Sequence, residues 1–437
     1  MLRKLEYVCL VGSLGLIGAD RIDLAAGHLP FILTPFLVLA SLVVLLHLLR
    51  TPPDRLFRFT ITPPIRRQLP FLAACGLFLC FTFASIPIGL DPDRSVVAFG
   101  DLLVLVILGF CISVQILREP AQELLIVRSV GFALLVYVIF CIGECIAWRH
   151  GIFINTERTG PWLQSMFAPG TLGPWVPTLA GTTFDSNRSA FVLTMYLALL
   201  DRFAAKSRYT TLCRFAIGFL VLLTLSRAGT LCWLAYYVSS KKFWMRLTSR
   251  RVLARIAAIA IVGSLLFVVY RQEIVDLAEA WQVVDAFSTK MSMGQGSSGE
   301  SHVILIERGF ETWLSSTKTI IMGIGYAAAP KVLEDLFGND KRGNFHDIYV
   351  TVLAEMGLPA FFVLMFLFGY PLAARKGAVP CMAAIMVFNV GYQSLTEPIF
   401  WLALALLWSY ERRGSPALRW FAFLPKFGDR RLANASS

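Results

Sequence analysis

His346, Arg227 and Arg308 are the residues of this chain whose types can do chemistry together. His346 opens the run His346-Asp347-Ile348-Tyr349-Val350-Thr351-Val352-Leu353-Ala354-Glu355-Met356-Gly357, where a long polar loop meets an apolar segment. An imidazole accepts a hydroxyl proton near neutral pH. A guanidinium stays charged and grips phosphate oxygens through paired N–H donors. A base and two fixed cations at a bilayer surface suit group transfer from a lipid-linked phosphate.

Each of these residues also has a plainer reading. Arg227 sits in Ser226-Arg227-Ala228-Gly229, a predicted tight turn between two apolar runs. Ala228 and Gly229 would let the backbone bend and a ligand come close. The alternative is an interfacial arginine snorkelling to head groups. Arg308 lies in Glu307-Arg308-Gly309-Phe310-Glu311-Thr312-Trp313, ahead of a tight turn at Gly323 and Gly325. It either holds phosphate or pairs with Glu307 or Glu311 on its own helix. Asp347 or Glu355 would orient His346, with Tyr349 beside them. Arg188, in Thr182-Thr183-Phe184-Asp185-Ser186-Asn187-Arg188-Ser189-Ala190, is a third phosphate contact or an interfacial arginine beside a helix cap by Ser186 or Asn187. Asp91-Pro92-Asp93 is a metal-binding pair or a plain turn. Cys141 and Cys145 are a metal pair or small core residues, and the core reading is the commoner one.

The elements that must position these residues follow from composition. The chain has 437 residues, 57% hydrophobic and 16% charged, with a mean hydropathy of +0.66. That is too apolar for a water-soluble domain and points to an all-α, polytopic membrane protein. Apolar runs near the ~20-residue spanning length lie at 5–19, 29–49, 70–90, 97–117, 129–148, 189–204, 211–226, 228–240, 256–270, 347–373, 379–395 and 397–411. They predict about twelve transmembrane helices. Residues 1–19 merge into a hairpin and show no small-residue cleavage site.

With both termini inside, most of the 40 lysines and arginines fall in inner segments and most of the 28 acids fall elsewhere. The positive-inside rule supports that topology. The net charge of +12 is then a topology signal, since nucleic-acid binding would need the basic residues on one soluble face. None of the nine cysteines lies in the long outer loops, so no disulfide framework is implied. No P-loop, dinucleotide fingerprint or zinc motif is present, so neither a nucleotide donor nor a cofactor is expected.

Two outer segments are long. Residues 149–188 are rich in Gly, Pro and Trp. Residues 271–346 form the largest soluble piece, with amphipathic spacing over Glu273 to Phe287, a flexible stretch from Ser292 to Ser301, and a helix over Ile304 to Ser315. Loops of this size between spans are usually functional.

These motifs carry a resemblance. Ser226-Arg227-Ala228-Gly229 resembles the Ser-Arg-Gly/Ala signature of the O-antigen ligase and O-antigen polymerase superfamily. Arg308 to Gly325 is similar to that family's arginine-to-glycine segment, and His346 to Gly357 to its His-Asn-x-Tyr/Phe segment ending in Glu-x-Gly. Thr182 to Ala190 is similar to its Thr-Phe segment, so the resemblance covers about 180–395. Asp347 stands where many members have Asn, and the Pro usual before Gly323 is absent.

The resemblance implies a GT-C-like fold in a Gram-negative inner membrane, with its site at the periplasmic face. It implies inverting glycosyl transfer, independent of metal, from a glycan on undecaprenyl diphosphate to an acceptor hydroxyl. In the ligases that hydroxyl belongs to lipid A-core, which gives lipopolysaccharide. His346 then matches the base, and Arg227 and Arg308 match the arginines that hold the donor diphosphate. Arg188 would be a third contact, with Ser226, Asp347, Tyr349, Glu355, Gly323 and Gly325 in support. Alternatives are a polysaccharide polymerase, a protein O-oligosaccharyltransferase, and a transporter or flippase. A transporter should carry charge near the midplane, where only Glu144 and Asp101 are candidates.

Overall fold

The computed structural model describes residues 1–25, 32–51, 63–150, 171–172, 176–177, 179–240, 298–334, 344–375 and 377–410. They are mostly helical. The order is α1 (Leu2–Gly15), α2 (Pro35–Arg50), α3 (Pro63–Ser85), α4 (Pro92–Arg118), α5 (Gln122–Arg149), β1 (Thr171–Leu172), β2 (Val176–Pro177), α6 (Ser186–Phe203), α7 (Arg208–Leu223) and α8 (Arg227–Val238). There follow α9 (Ser298–Leu314), α10 (Thr317–Met322), α11 (Ala329–Val332), α12 (Ile348–Ala374), α13 (Val379–Phe388) and α14 (Pro398–Trp408). β1 and β2 form a short antiparallel pair, with Thr171 opposite Pro177.

Helices dominate because hydrocarbon cannot hydrogen-bond a bare backbone. Gln68–Ser85, Pro92–Arg118, Gln122–Ala147 and Ile348–Ala374 are long and apolar enough to cross a membrane. Pro35–Arg50, Val379–Phe388 and Pro398–Trp408 are apolar but shorter. Every predicted apolar run except 256–270 coincides with a described helix, and that run lies outside the described residues. α13 stops at Phe388, short of the predicted limit. Leu135, Ile139, Ile142 and Ile146 are exposed along α5, the kind of face that acyl chains cover. Trp401, Trp408, Phe36 and Phe78 are fully buried in the bundle core.

α12 is broken at Gly357, whose φ is +79°. A Cβ there would come within 2.1 Å of the Ile321 carbonyl oxygen, so only glycine allows the 321–325 turn to lie against the break. Pro359 follows and contributes no N–H to the helix.

A buried latch joins the first loop to the segment before α6. Arg21 pairs with Glu144 at 2.6 Å and donates to the Gly181 carbonyl at 2.9 Å. The other Glu144 oxygen accepts from the Ala180 and Gly181 N–H groups. Glu144, a candidate for a midplane charge, is thus engaged in holding a loop.

The predicted helix over Glu273 to Phe287 lies outside the described residues. The flexible stretch predicted to end at Ser301 is helical from Ser298, where α9 begins. Packing of α9 on α12 overrides the weak helix propensity of its serines and glycine.

Candidate active site

Three helix heads that carry the predicted motifs are pinned at their caps. Asp185 caps α6 and accepts from the Asn187 and Arg188 N–H groups. The cap is therefore Asp185, not Ser186 or Asn187. A carboxylate at this position satisfies two orphan N–H groups at once. Asn187 is used differently: its Oδ1 accepts from the Ser226 hydroxyl at 2.6 Å. Ser226 Oγ in turn accepts from the Gly229 N–H and caps α8. Arg227 is the first residue of α8. A Cβ on Gly229 would lie 2.1 Å from the Ala190 Cβ, so this glycine lets α8 close against α6. That glycine serves helix packing.

Asp347 caps α12, accepting from the Tyr349 and Val350 N–H groups at 2.7 and 2.9 Å. Tyr349 donates to the Met386 carbonyl. Glu355 accepts from the Ala327 and Ala329 N–H groups at 2.9 and 3.0 Å, while its own carbonyl accepts from Gly325. Gly323 and Gly325 have positive φ, and a Cβ on Gly323 would fall 2.2 Å from the Glu355 carbonyl carbon. Asp347 and Glu355 thus bind backbone, and neither is seen orienting His346.

His346 has φ +53°, a left-handed conformation uncommon outside glycine, and its N–H donates to the Asn344 side chain. Its ring stands edge to face on His302, with centroids 4.5 Å apart, and 6.5 Å from the Tyr392 ring. Burial, then His302, pushes the His346 pKa down to about 4, while Asp185 opposes the shift. The imidazole is therefore neutral at pH 7 and free to accept a proton. Burial, then Arg227, lowers His302 as well. Arg227 and the two imidazoles thus share one neighbourhood.

Arg308 lies on α9 beside Gly309, where a Cβ would come within 2.3 Å of Val350 Cγ1. That glycine lets α9 lie across the head of α12. The Arg308 guanidinium pairs with Glu311 at 3.4 Å on its own helix and is partly exposed.

Arg188 is engaged by carboxylates. It pairs with Asp20 at 2.6 Å, with Glu397 at 2.8 Å and with Asp185 at 3.6 Å. It also donates to the Tyr392 hydroxyl, which donates to Asp185. Burial pushes the Asp20 carboxyl up, and Arg188 opposes that shift. Asp91 caps α4, accepting from the Arg94 N–H, with Asp93 in the first turn.

Sequence reasoning missed His302, Tyr392, Asp20 and Glu397. The signal for His302 was its place just before the predicted helix of Arg308, on the predicted outer side. The signal for Asp20 was the short polar run Asp20-Arg21-Ile22-Asp23 between two apolar segments.

The fold and site define a helical, multi-pass membrane protein in which the His346 and His302 imidazoles lie together, with the Arg227 charge acting on His302. Residues 212–365, from α7 into α12, match the family model described as O-antigen ligase. Arg227, His302, Arg308 and His346 all lie within the match; Asp20, Arg188, Tyr392 and Glu397 lie outside it. No curated protein matches the chain.

Proposed function

We propose that the chain is an inverting glycosyltransferase that moves a glycan from undecaprenyl diphosphate to an acceptor hydroxyl. The acceptor we favour is lipid A-core, which makes the reaction lipopolysaccharide ligation at the periplasmic face of a Gram-negative inner membrane. The observation that carries this reading is His346: a neutral imidazole, beside Arg227 and His302, at the head of α12 within the O-antigen ligase match.

His346 takes the proton of the acceptor hydroxyl. Arg227 and Arg308 hold the donor diphosphate and stabilise the charge that develops as it leaves. Charge stabilisation by guanidinium in a site of low dielectric supplies what a metal would otherwise supply. Attack from the face opposite the diphosphate inverts the anomeric centre. Arg188, already ringed by carboxylates, positions Tyr392 and the head of α6 rather than phosphate. About twelve spans and the outer segments 149–188 and 271–346 complete the proposed architecture, with both termini cytoplasmic.

The test is transfer by the purified protein. It is given undecaprenyl-diphosphate-linked glycan and lipid A-core in the presence of chelator, with His346→Ala alongside. Product that depends on His346 and survives chelation is expected. Longer lipid-linked chains from donor alone, with no lipid A-core product, would instead identify a polymerase.

A further inference from the structure

His302 is the second imidazole of this site, and the carboxylate and the guanidinium nearby divide the pair. Asp185 acts on His346 and favours its protonated form, whereas Arg227 acts on His302 and disfavours its protonated form. A diphosphate is drawn to the guanidinium and repelled by the carboxylate. Phosphate therefore belongs on the His302 side, and the incoming hydroxyl on the His346 side.

The His302 Nδ1 atom is buried and has no hydrogen-bond partner among the described residues. Buried polar atoms in native proteins are nearly always paired, and an unpaired one beside a site asks for a ligand atom. The His346 ring stands edge to face against it, with centroids 4.5 Å apart and planes at 80°. Among the described residues, the titratable and charged groups acting on this pair are Arg227 from α8 on His302, and Asp185 from the cap of α6 on His346.

We propose that His302 is a second catalytic imidazole, which hydrogen-bonds the departing diphosphate through Nδ1–H while His346 takes the acceptor proton. This rests on the glycosyl-transfer reading above. In the step, the acceptor O–H bond breaks and its proton moves to a His346 ring nitrogen. The oxygen's electron pair forms the new bond to the anomeric carbon. The bond from that carbon to the diphosphate oxygen breaks, and its electrons leave with undecaprenyl diphosphate. The new negative charge appears where His302 and Arg227 face it. Bound diphosphate also offsets the Arg227 charge, so His302 gains a proton as donor binds.

The probe is undecaprenyl diphosphate in detergent micelles, titrated calorimetrically into the full-length protein near pH 7. Two buffers of different ionisation enthalpy report protons taken up. His302→Ala should weaken binding about ten-fold or more, the loss of one hydrogen bond to a charged group, and slow transfer in parallel. His302→Asn keeps an N–H donor near Nδ1 but cannot titrate; it should bind more nearly like wild type with less proton uptake. His346→Ala should bind the diphosphate and fail to transfer. Wild-type binding and turnover in His302→Ala, or unchanged proton uptake in His302→Asn, would overturn the assignment to His302. Retained transfer by His346→Ala would instead overturn His346 as the base, and absence of transfer by the wild-type protein would overturn the glycosyl-transfer reading itself.

Discussion

Arg188 and Asp20 stand 168 residues apart in the chain and form an ion pair at 2.6 Å. The pair ties the first loop to the head of α6, and Glu397, Asp185 and Tyr392 close the network around the same guanidinium. Three carboxylates and one arginine carry net negative charge if all ionise, so removing the cation leaves buried acids facing one another. Breaking such a pair by deleting one partner costs about 3–5 kcal/mol. Arg188→Ala should therefore lower the melting temperature in detergent sharply, and transfer should fail with it. Asp20→Asn keeps an oxygen for the Phe184 N–H and should be milder. Equal melting of Arg188→Ala and wild type would remove this network from the fold's support.

Much of this was legible in the sequence, for physical reasons. Apolar runs of spanning length are the strongest one-dimensional signal a chain carries, so the helices fell where hydropathy put them. His346 and Arg227 stood out because charge and imidazole at the edge of apolar runs are costly to place there, and Arg308 because it sits in a long outer loop. What escaped was pairing at long range. Asp20 with Arg188, and Tyr392 with His346, are contacts between distant segments, which no local period encodes. Asp347 and Glu355 misled in the opposite way: their nearness to His346 in sequence suggested orientation of its ring, yet both carboxylates are taken by backbone N–H groups.

Glu355 holds the 323–329 segment, and its loss should be felt as stability before chemistry. Its carboxylate answers the N–H groups of Ala327 and Ala329. Removing the acceptor leaves buried donors unsatisfied at about 1–3 kcal/mol. Glu355→Gln should lose part of that, because its amide nitrogen would face an N–H instead of accepting from it. Gly323→Ala should be at least as damaging, since its φ of +71° and the Glu355 carbonyl carbon 2.2 Å from the new Cβ leave no room. Limited proteolysis in detergent would read both. A wild-type cleavage pattern for Gly323→Ala would sink this account of the turn.

The pH dependence follows from His346. Burial first and His302 second hold its pKa at about 4 in the folded protein, against about 6.5 for an unperturbed imidazole. A folded value below the unfolded one means the unfolded chain binds more protons between the two. Stability from this group should thus be full above about pH 6.5 and decline as pH falls toward about 4. The free enzyme's base should remain deprotonated over the same range, so the acid limb of kcat/KM should lie well below pH 6.5. A bound diphosphate raises the pKa of a neighbouring imidazole, so the acid limb of kcat should lie at higher pH than that of kcat/KM. Coincident limbs near pH 6.5 would mean an ordinary solvated histidine.

Arg227→Lys separates charge from shape at the head of α8. Lysine keeps the cation, and the Ser226 cap and the Gly229 contact with Ala190 do not involve the replaced side chain. The cap and the helix packing at this position should therefore be kept. A compact ammonium cannot present two parallel N–H donors to a diphosphate, and it carries its charge on a flexible four-carbon stem. Loss of a pre-placed donor at a developing oxyanion typically costs about 100- to 1,000-fold in turnover, and a comparable fall in kcat is expected here. Binding of undecaprenyl diphosphate should weaken less than turnover, because the charge that grows only as the bond breaks is what the fork stabilises best. If Arg227→Lys turned over normally, the guanidinium would be one cation among several at the membrane surface, and the diphosphate would have to be held from the α9 side, by Arg308 and His302.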